Sequence, residues 1–140
     1  MKESNADGAM TLPRTKVLYV DDEKSKTLLV KMNLEDTGRY EVRVENFPEH
    51  ALEVMREFRP DIVLLDIIMP RVPGGMVSEA IWKDPDLKDT PVVFVTAAVR
   101  KKDLEKAGGM ICNRPALAEP CSLERIIEAI ERYARRPRIE

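Results

Sequence analysis

Carboxylates and one hydroxyl stand where apolar runs stop. Val17-Leu18-Tyr19-Val20 ends in Asp21-Asp22, Asp61-Ile62-Val63-Leu64-Leu65 ends in Asp66, and Pro91-Val92-Val93-Phe94-Val95 ends in Thr96. Carboxylates that converge on one crevice repel one another, so without a counter-charge at least one would hold a proton above its ordinary pKa. A hard divalent cation relieves that repulsion. Mg2+ takes oxygen ligands, keeps several waters, and uses one or two carboxylates together with phosphate oxygens. With the ion in place, a strand-end carboxylate can attack phosphorus while the ion neutralises the incoming charge. Thr96 would add a hydroxyl donor, and Ala97 after it is small enough to leave the pocket open. Any one of these acids alone could simply open a turn or cap a helix, as Asp commonly does. The recurrence at successive run ends is what favours a site.

The runs are short, continuous and β-branched, which suits parallel strands buried on both faces. Structure is expected to begin near Lys16. Between the runs the periodicity turns helical. Lys24 to about Asp36 carries Leu28, Leu29 and Met32 before Gly38; Pro48 to Phe58 carries Ala51, Leu52, Met55 and Phe58; Gly75 to Lys83 is closed by Asp84-Pro85. Lys101 to Ala107 is a shorter helix ended by Gly108-Gly109. The last, Ser122 to Arg135, has Ser122 as N-cap and a stripe of Leu123, Ile126, Ile127, Ile130 and Ala134. Tyr40-Glu41-Val42-Arg43-Val44 alternates as an edge strand does. Strands alternating with helices predict an open, doubly wound α/β sheet, whose functional crevice lies beyond the carboxyl ends of the strands. Asp21, Asp22, Asp66 and Thr96 fall at those ends.

The totals agree with one such domain. A chain of 140 residues can bury one core and is short for two. No apolar run is long enough to cross a bilayer, and the polar start lacks a secretory signal, so a cytoplasmic location is expected. Net charge is −2 from 23 basic and 25 acidic residues, which excludes an overall basic field for nucleic acid or an anionic membrane. Arg132, Arg135, Arg136 and Arg138 are read as cations complementing the end of the last helix. Cys112, Cys121 and a single histidine, His50, cannot supply a four-ligand zinc site. Both thiols are read as reduced and structural, His50 as an exposed residue without a catalytic role, and the methionines as core filling.

Taken together, residues 15 to about 135 resemble the receiver domain of response regulators, including the chemotaxis response regulator. The likeness rests on Val17-Leu18-Tyr19-Val20-Asp21-Asp22-Glu23, on Pro60 through Pro70 with Asp66 at its centre, and on Pro91-Val92-Val93-Phe94-Val95-Thr96-Ala97. It implies a flavodoxin-like (βα)5 sandwich with a five-stranded parallel sheet of order 2-1-3-4-5. The domain would span residues 15–136, after a flexible leader (1–14) and before a tail or linker start (137–140). The resemblance makes Asp66 the phosphoacceptor, Asp22 and the Ile68 backbone carbonyl direct Mg2+ ligands, Asp21 a metal ligand largely through water, and Thr96 the switch hydroxyl. The implied donor is a phosphohistidine on a sensor histidine kinase or histidine phosphotransfer protein.

Two positions depart from the family. A Lys-Pro pair usually precedes the last helix, its lysine pairing with the phosphoryl group. Counting back from Ser122 gives Glu119-Pro120, whereas counting forward from Ala107-Gly108 gives Arg114-Pro115. Both stay open, with Glu119 favoured because the helix start is the firmer anchor, and a Glu119 at that position is expected to point away from the pocket. The switch aromatic, three residues earlier, would be Ala116 or Ile111, neither aromatic. Ile68 and Ala98 are apolar where relatives carry polar side chains that help water attack the acyl phosphate, so a long-lived phosphoryl group is expected.

The leading reading is therefore a signalling phosphoacceptor. A degenerate receiver that works as a phosphorylation-independent binding module is the alternative. A metal-dependent phosphatase with an Asp nucleophile ranks last, because such enzymes place Asp-x-Asp after the first strand and here the pair is adjacent. Nothing after Arg138 reads as an output domain, so signalling is expected through a separate protein target, with a homodimer conceivable, unless the chain is a piece of a longer regulator.

Overall fold

The computed structural model describes residues 13–135. Apart from Pro13 and Arg14, the expected leader lies outside the described residues, as do Arg136 and the expected tail. The elements run β1 (Thr15–Val20), α1 (Lys24–Asp36), β2 (Tyr40–Glu45), a 3-10 turn (Pro48–His50), α2 (Ala51–Phe58), β3 (Ile62–Leu65) and α3 (Gly74–Lys83). They continue with β4 (Val92–Thr96), α4 (Lys101–Lys106), β5 (Met110–Ile111), β6 (Arg114–Ala118) and α5 (Leu123–Tyr133).

The sheet order is β2-β1-β3-β4-β6-β5. Its five longer strands are parallel and follow the expected 2-1-3-4-5 order. The sixth, β5, was not expected. Met110 and Ile111 pair antiparallel with Pro115 and Arg114 across the two residues Cys112 and Asn113. Both of these have positive φ, 50° and 63°, which suits a tight hairpin turn. The antiparallel strand adds an edge without altering the parallel frame.

Alternation along the strands sorts the core into two layers. Leu18, Val20, Val63, Leu65, Val92 and Phe94 face Val54 and Met55 of α2, Val77 and Ile81 of α3, and Leu104 of α4. Val17, Tyr19, Ile62, Leu64, Val93 and Val95 face Leu34 of α1 and Ile126, Ala129 and Ile130 of α5. All four residues of β3 and all five of β4 are buried, as central parallel strands require. Ser122 caps α5 by accepting a hydrogen bond from the Arg125 amide at 3.2 Å.

Several sequence expectations are corrected here. Leu28, Leu29 and Met32, on which α1 was read, point outward and are more than half exposed; Thr27 and Leu34 are buried instead. Met55 and Met69 fill the core, but Met32, Met76 and Met110 are exposed. Cys112 sits exposed on the hairpin turn rather than in a structural position. His50 is exposed, as expected. Among the described residues, no helix is long and apolar enough to cross a membrane.

Candidate functional site

The site grows from the ends of β1 and β3. These strands pair with Val20 opposite Leu65, so the residues that follow, Asp21 and Asp66, emerge side by side. Backbone bonds fix both: the Asp66 amide donates to the Val20 carbonyl at 3.1 Å and the Asp21 amide to the Glu45 carbonyl at 3.2 Å. One carboxylate oxygen from each of Asp21, Asp22 and Asp66 lies within 4.8 Å of the others. Asp21 is fully buried and Asp66 nearly so, while Asp22 is exposed.

The oxygens are not equivalent. Asp66 Oδ1 accepts from the Ile67 amide at 2.7 Å, and the Ile68 amide approaches it at 3.4 Å. Oδ2 takes no hydrogen bond from the described residues, which leaves it the open edge of the carboxylate. Asp21 Oδ1 accepts from the Glu23 amide at 3.0 Å. Asp21 Oδ2 is buried and lies 2.6 Å from Lys26 Nζ, but off the hydrogen-bond directions, so it is charge-paired without an aligned donor. Burial pushes the Asp21 carboxyl up to about 6, against the opposing pull of Lys26 and the Glu23 amide. Three converging carboxylates, one with a buried oxygen short of a donor, fit a hard divalent cation.

Thr96 closes β4, fully buried, and its Oγ1 accepts from the Ala98 amide at 3.1 Å. Its carbonyl accepts from the Glu119 amide at 2.8 Å, which ties the end of β4 to the loop after β6. Ala97 and Ala98 are exposed at the mouth. Ile68 belongs to the loop that leaves Asp66, its side chain turned to solvent. That loop is pinned from below by the Gly74 amide, which donates to the Ile67 carbonyl at 2.8 Å.

Glu119 and Arg114 end up at opposite ends of β6. Glu119 lies at the acidic end, within a cis Glu119-Pro120 unit, and Arg114 opens the strand at the hairpin. Glu119, expected to point away from the pocket, is turned inward instead. Its side chain is 17% exposed, and Oε1 accepts from Lys26 Nζ at 2.9 Å. The same ammonium is 3.4 Å from Glu23 Oε1. Burial would lower the Lys26 pKa, but the carboxylates of Asp21 and Glu119 outweigh it and push the ammonium well above its ordinary value.

The chain matches the model of the response regulator receiver domain over residues 17–131. It belongs to the response regulator receiver family. Among curated relatives of this receiver, the polar-differentiation response regulator DivK of Brucella anthropi is 35% identical over 117 residues, covering 84% of this chain and 94% of that one. Its counterpart in Brucella ovis is 33% identical over the same span. Among solved structures, the chemotaxis protein CheY4 of Vibrio cholerae superimposes with a TM-score of 0.72 at 27% identity, covering 86% of this chain and 98% of that one. The N-terminal domain of a response regulator receiver protein from Methanoculleus marisnigri gives 0.62 at 30% identity, over 84% and 94% of the two chains. The flavodoxin-like α/β fold read from the sequence is thereby shown.

Against that family pattern, this receiver's Ala116 is buried on β6 opposite Phe94, with no ring to move, and Ile111 lies on β5. Three supporting residues escaped the sequence reading. Asn46 donates from Nδ2 to the Asp21 carbonyl at 2.7 Å and to Thr27 Oγ1 at 3.0 Å, holding β1 against α1. Gly74 supports the Asp66 loop. Lys26 carries the cation of the site, and the available signal was a basic residue one turn after the acidic pair in a chain with Glu where the family has Lys.

Proposed function

We propose that this receiver takes a phosphoryl group onto Asp66 from a phosphohistidine donor on a sensor histidine kinase or histidine phosphotransfer protein, and signals through protein contacts. The observation that carries the reading is the convergence of Asp21, Asp22 and Asp66 within 4.8 Å, with Asp66 Oδ2 taking no hydrogen bond from the described residues. Asp22, Asp66 and the Ile68 carbonyl would hold Mg2+ directly, and Asp21 largely through water. When bound, Mg2+ supplies charge neutralisation for the incoming phosphoryl oxygens.

The residues themselves do the rest. The Ile67 amide holds one oxygen of Asp66 and so aims the other outward as nucleophile. The new bond joins that oxygen to phosphorus as the donor's nitrogen–phosphorus bond breaks and the imidazole leaves with the electron pair. Thr96 keeps its buried hydroxyl at the end of β4, accepting from the Ala98 amide and able to donate toward a phosphoryl oxygen. Incubation with Mg2+ and a small acyl phosphate tests the reading: the wild type should gain the mass of one phosphoryl group and Asp66→Ala should not.

A second reading is favoured by one observation, the inward Glu119. A carboxylate replacing a cation about 4 Å from a phosphoryl charge turns an attraction of about 4 kcal/mol, at an effective dielectric near 20, into repulsion. On that reading the protein is a phosphorylation-independent binding module. Failure of the wild type to gain mass with Mg2+ present would select it.

A further inference from the structure

We infer that Lys26 is an internal rival of the divalent cation: its ammonium occupies the Asp21 side of the acidic site and must be displaced before a metal ion can draw on that carboxylate. The inference rests on the reading that Asp21, Asp22 and Asp66 take Mg2+.

The placement of Lys26 needs an explanation. It is the third residue of α1, where the helix dipole presents its positive end and disfavours a cation. Its side chain is nevertheless drawn inward to 23% exposure by three carboxylates, those of Asp21, Glu119 and Glu23. Lys24, one position into the same helix, is exposed and makes no ion pair among the described residues. The difference lies in Glu119, which comes from the far end of the chain and accepts a hydrogen bond from Lys26 Nζ.

The contact with Asp21 is close but poorly aligned. Oδ2 is fully buried and near the ammonium, yet among the described residues no donor is aligned on its lone pairs. An ammonium so poorly aligned on Asp21 is a placeholder there, which a better-coordinating ion, or a water on that ion, can replace. A divalent cation offers twice the charge and directional ligation at the same oxygen. Glu119 then gives the displaced ammonium somewhere to remain, since it keeps one partner after losing Asp21. Lys26 is thus a positioning residue: it sets how strongly the unphosphorylated site holds metal.

Mg2+ titration by calorimetry on the wild type, Lys26→Met and Lys24→Met is the test. Lys26→Met should bind Mg2+ about tenfold more tightly than wild type, between the worth of exposed and buried ion pairs. Lys24→Met removes the same charge from the same turn without touching Asp21, and should change affinity by less than about threefold. Equal effects of the two variants, or weaker binding by Lys26→Met, would overturn the inference while leaving the metal site standing. If neither the wild type nor Lys26→Met binds Mg2+, the metal site itself fails and the rivalry with it. Should Lys26→Met not fold, the wild type answers alone: the Lys26 side-chain Cε resonance must shift in step with Mg2+ saturation, and a resonance that stays fixed overturns the inference.

Discussion

A methyl group added to Gly74 would lie 2.0 Å from the backbone carbonyl oxygen of Asp66 and 2.8 Å from the Cα of Ile67. The first turn of α3 therefore presses directly on the backbone that presents the Asp66 carboxylate. Both obstacles are main chain, so neither can swing away as a side-chain tip would. Gly74→Ala should lower unfolding stability by about 1–3 kcal/mol, the usual range for overpacking a tight site. Urea denaturation checks this, and Gly75→Ala is the matched control because a methyl there meets nothing within 4 Å. Equal midpoints for the two variants would show that the contact relaxes freely.

Once formed, an acyl phosphate on Asp66 should be lost slowly. The side chains two residues after Asp66 and Thr96 offer no help to an attacking water. These are Ile68, which is 66% exposed at the mouth, and Ala98. Neither can accept a proton or orient a water. Ile68→Asn should shorten the lifetime about tenfold, short of the full contribution of a positioned general base. Phosphate release from the phosphorylated protein measures it, and equal rates for wild type and variant would remove Ile68 from the account.

The parallel frame was legible because burial on both faces leaves continuous β-branched runs, and the acids that end them are conspicuous against that background. The antiparallel β5 was not legible. Two residues carry no period, and their pairing depends on Cys112 and Asn113 both adopting positive φ, which composition alone does not announce. The outward face of α1 was hidden for another reason. Thr27 is buried because its hydroxyl bonds the Glu23 and Lys24 carbonyls within its own helix and also meets Asn46, so a polar residue lines the core side. Lys26 was invisible because its role exists only with Glu119, 93 residues away in sequence.

The two cysteines should separate by reactivity. Cys112 is exposed on the hairpin turn, whereas burial pushes the Cys121 thiol up, with the Glu119 carboxylate adding to the effect. A raised pKa means less thiolate at any given pH, and thiolate is the reactive form. Iodoacetamide near neutral pH should therefore label Cys112 first. Cys112→Ser should abolish the fast phase, and labelling of Cys121 should accelerate only as pH is raised. Peptide mass mapping with time would expose the opposite order if it holds.

Glu35 couples the end of α1 to β2 and should make part of the stability pH-dependent. Partial burial pushes its carboxyl up, but the Val42 amide at 2.9 Å and the Lys31 ammonium at 3.0 Å outweigh that and hold it below the ordinary carboxylate value. A carboxyl whose pKa is lower folded than unfolded contributes stability above the unfolded value, and loses it as pH falls through the folded one. The side chain is about one-third exposed, so solvent screens the pair and the effect should stay below about 1 kcal/mol. Glu35→Gln should be less stable than wild type near neutrality, because Gln can still accept from Val42 but cannot pair with Lys31. The gap should close as pH falls below the ordinary carboxylate range, where the wild-type carboxyl takes up its proton. Denaturant titrations at the two pH values decide it, and a gap that stays constant across them would show that shape rather than charge distinguishes the two side chains.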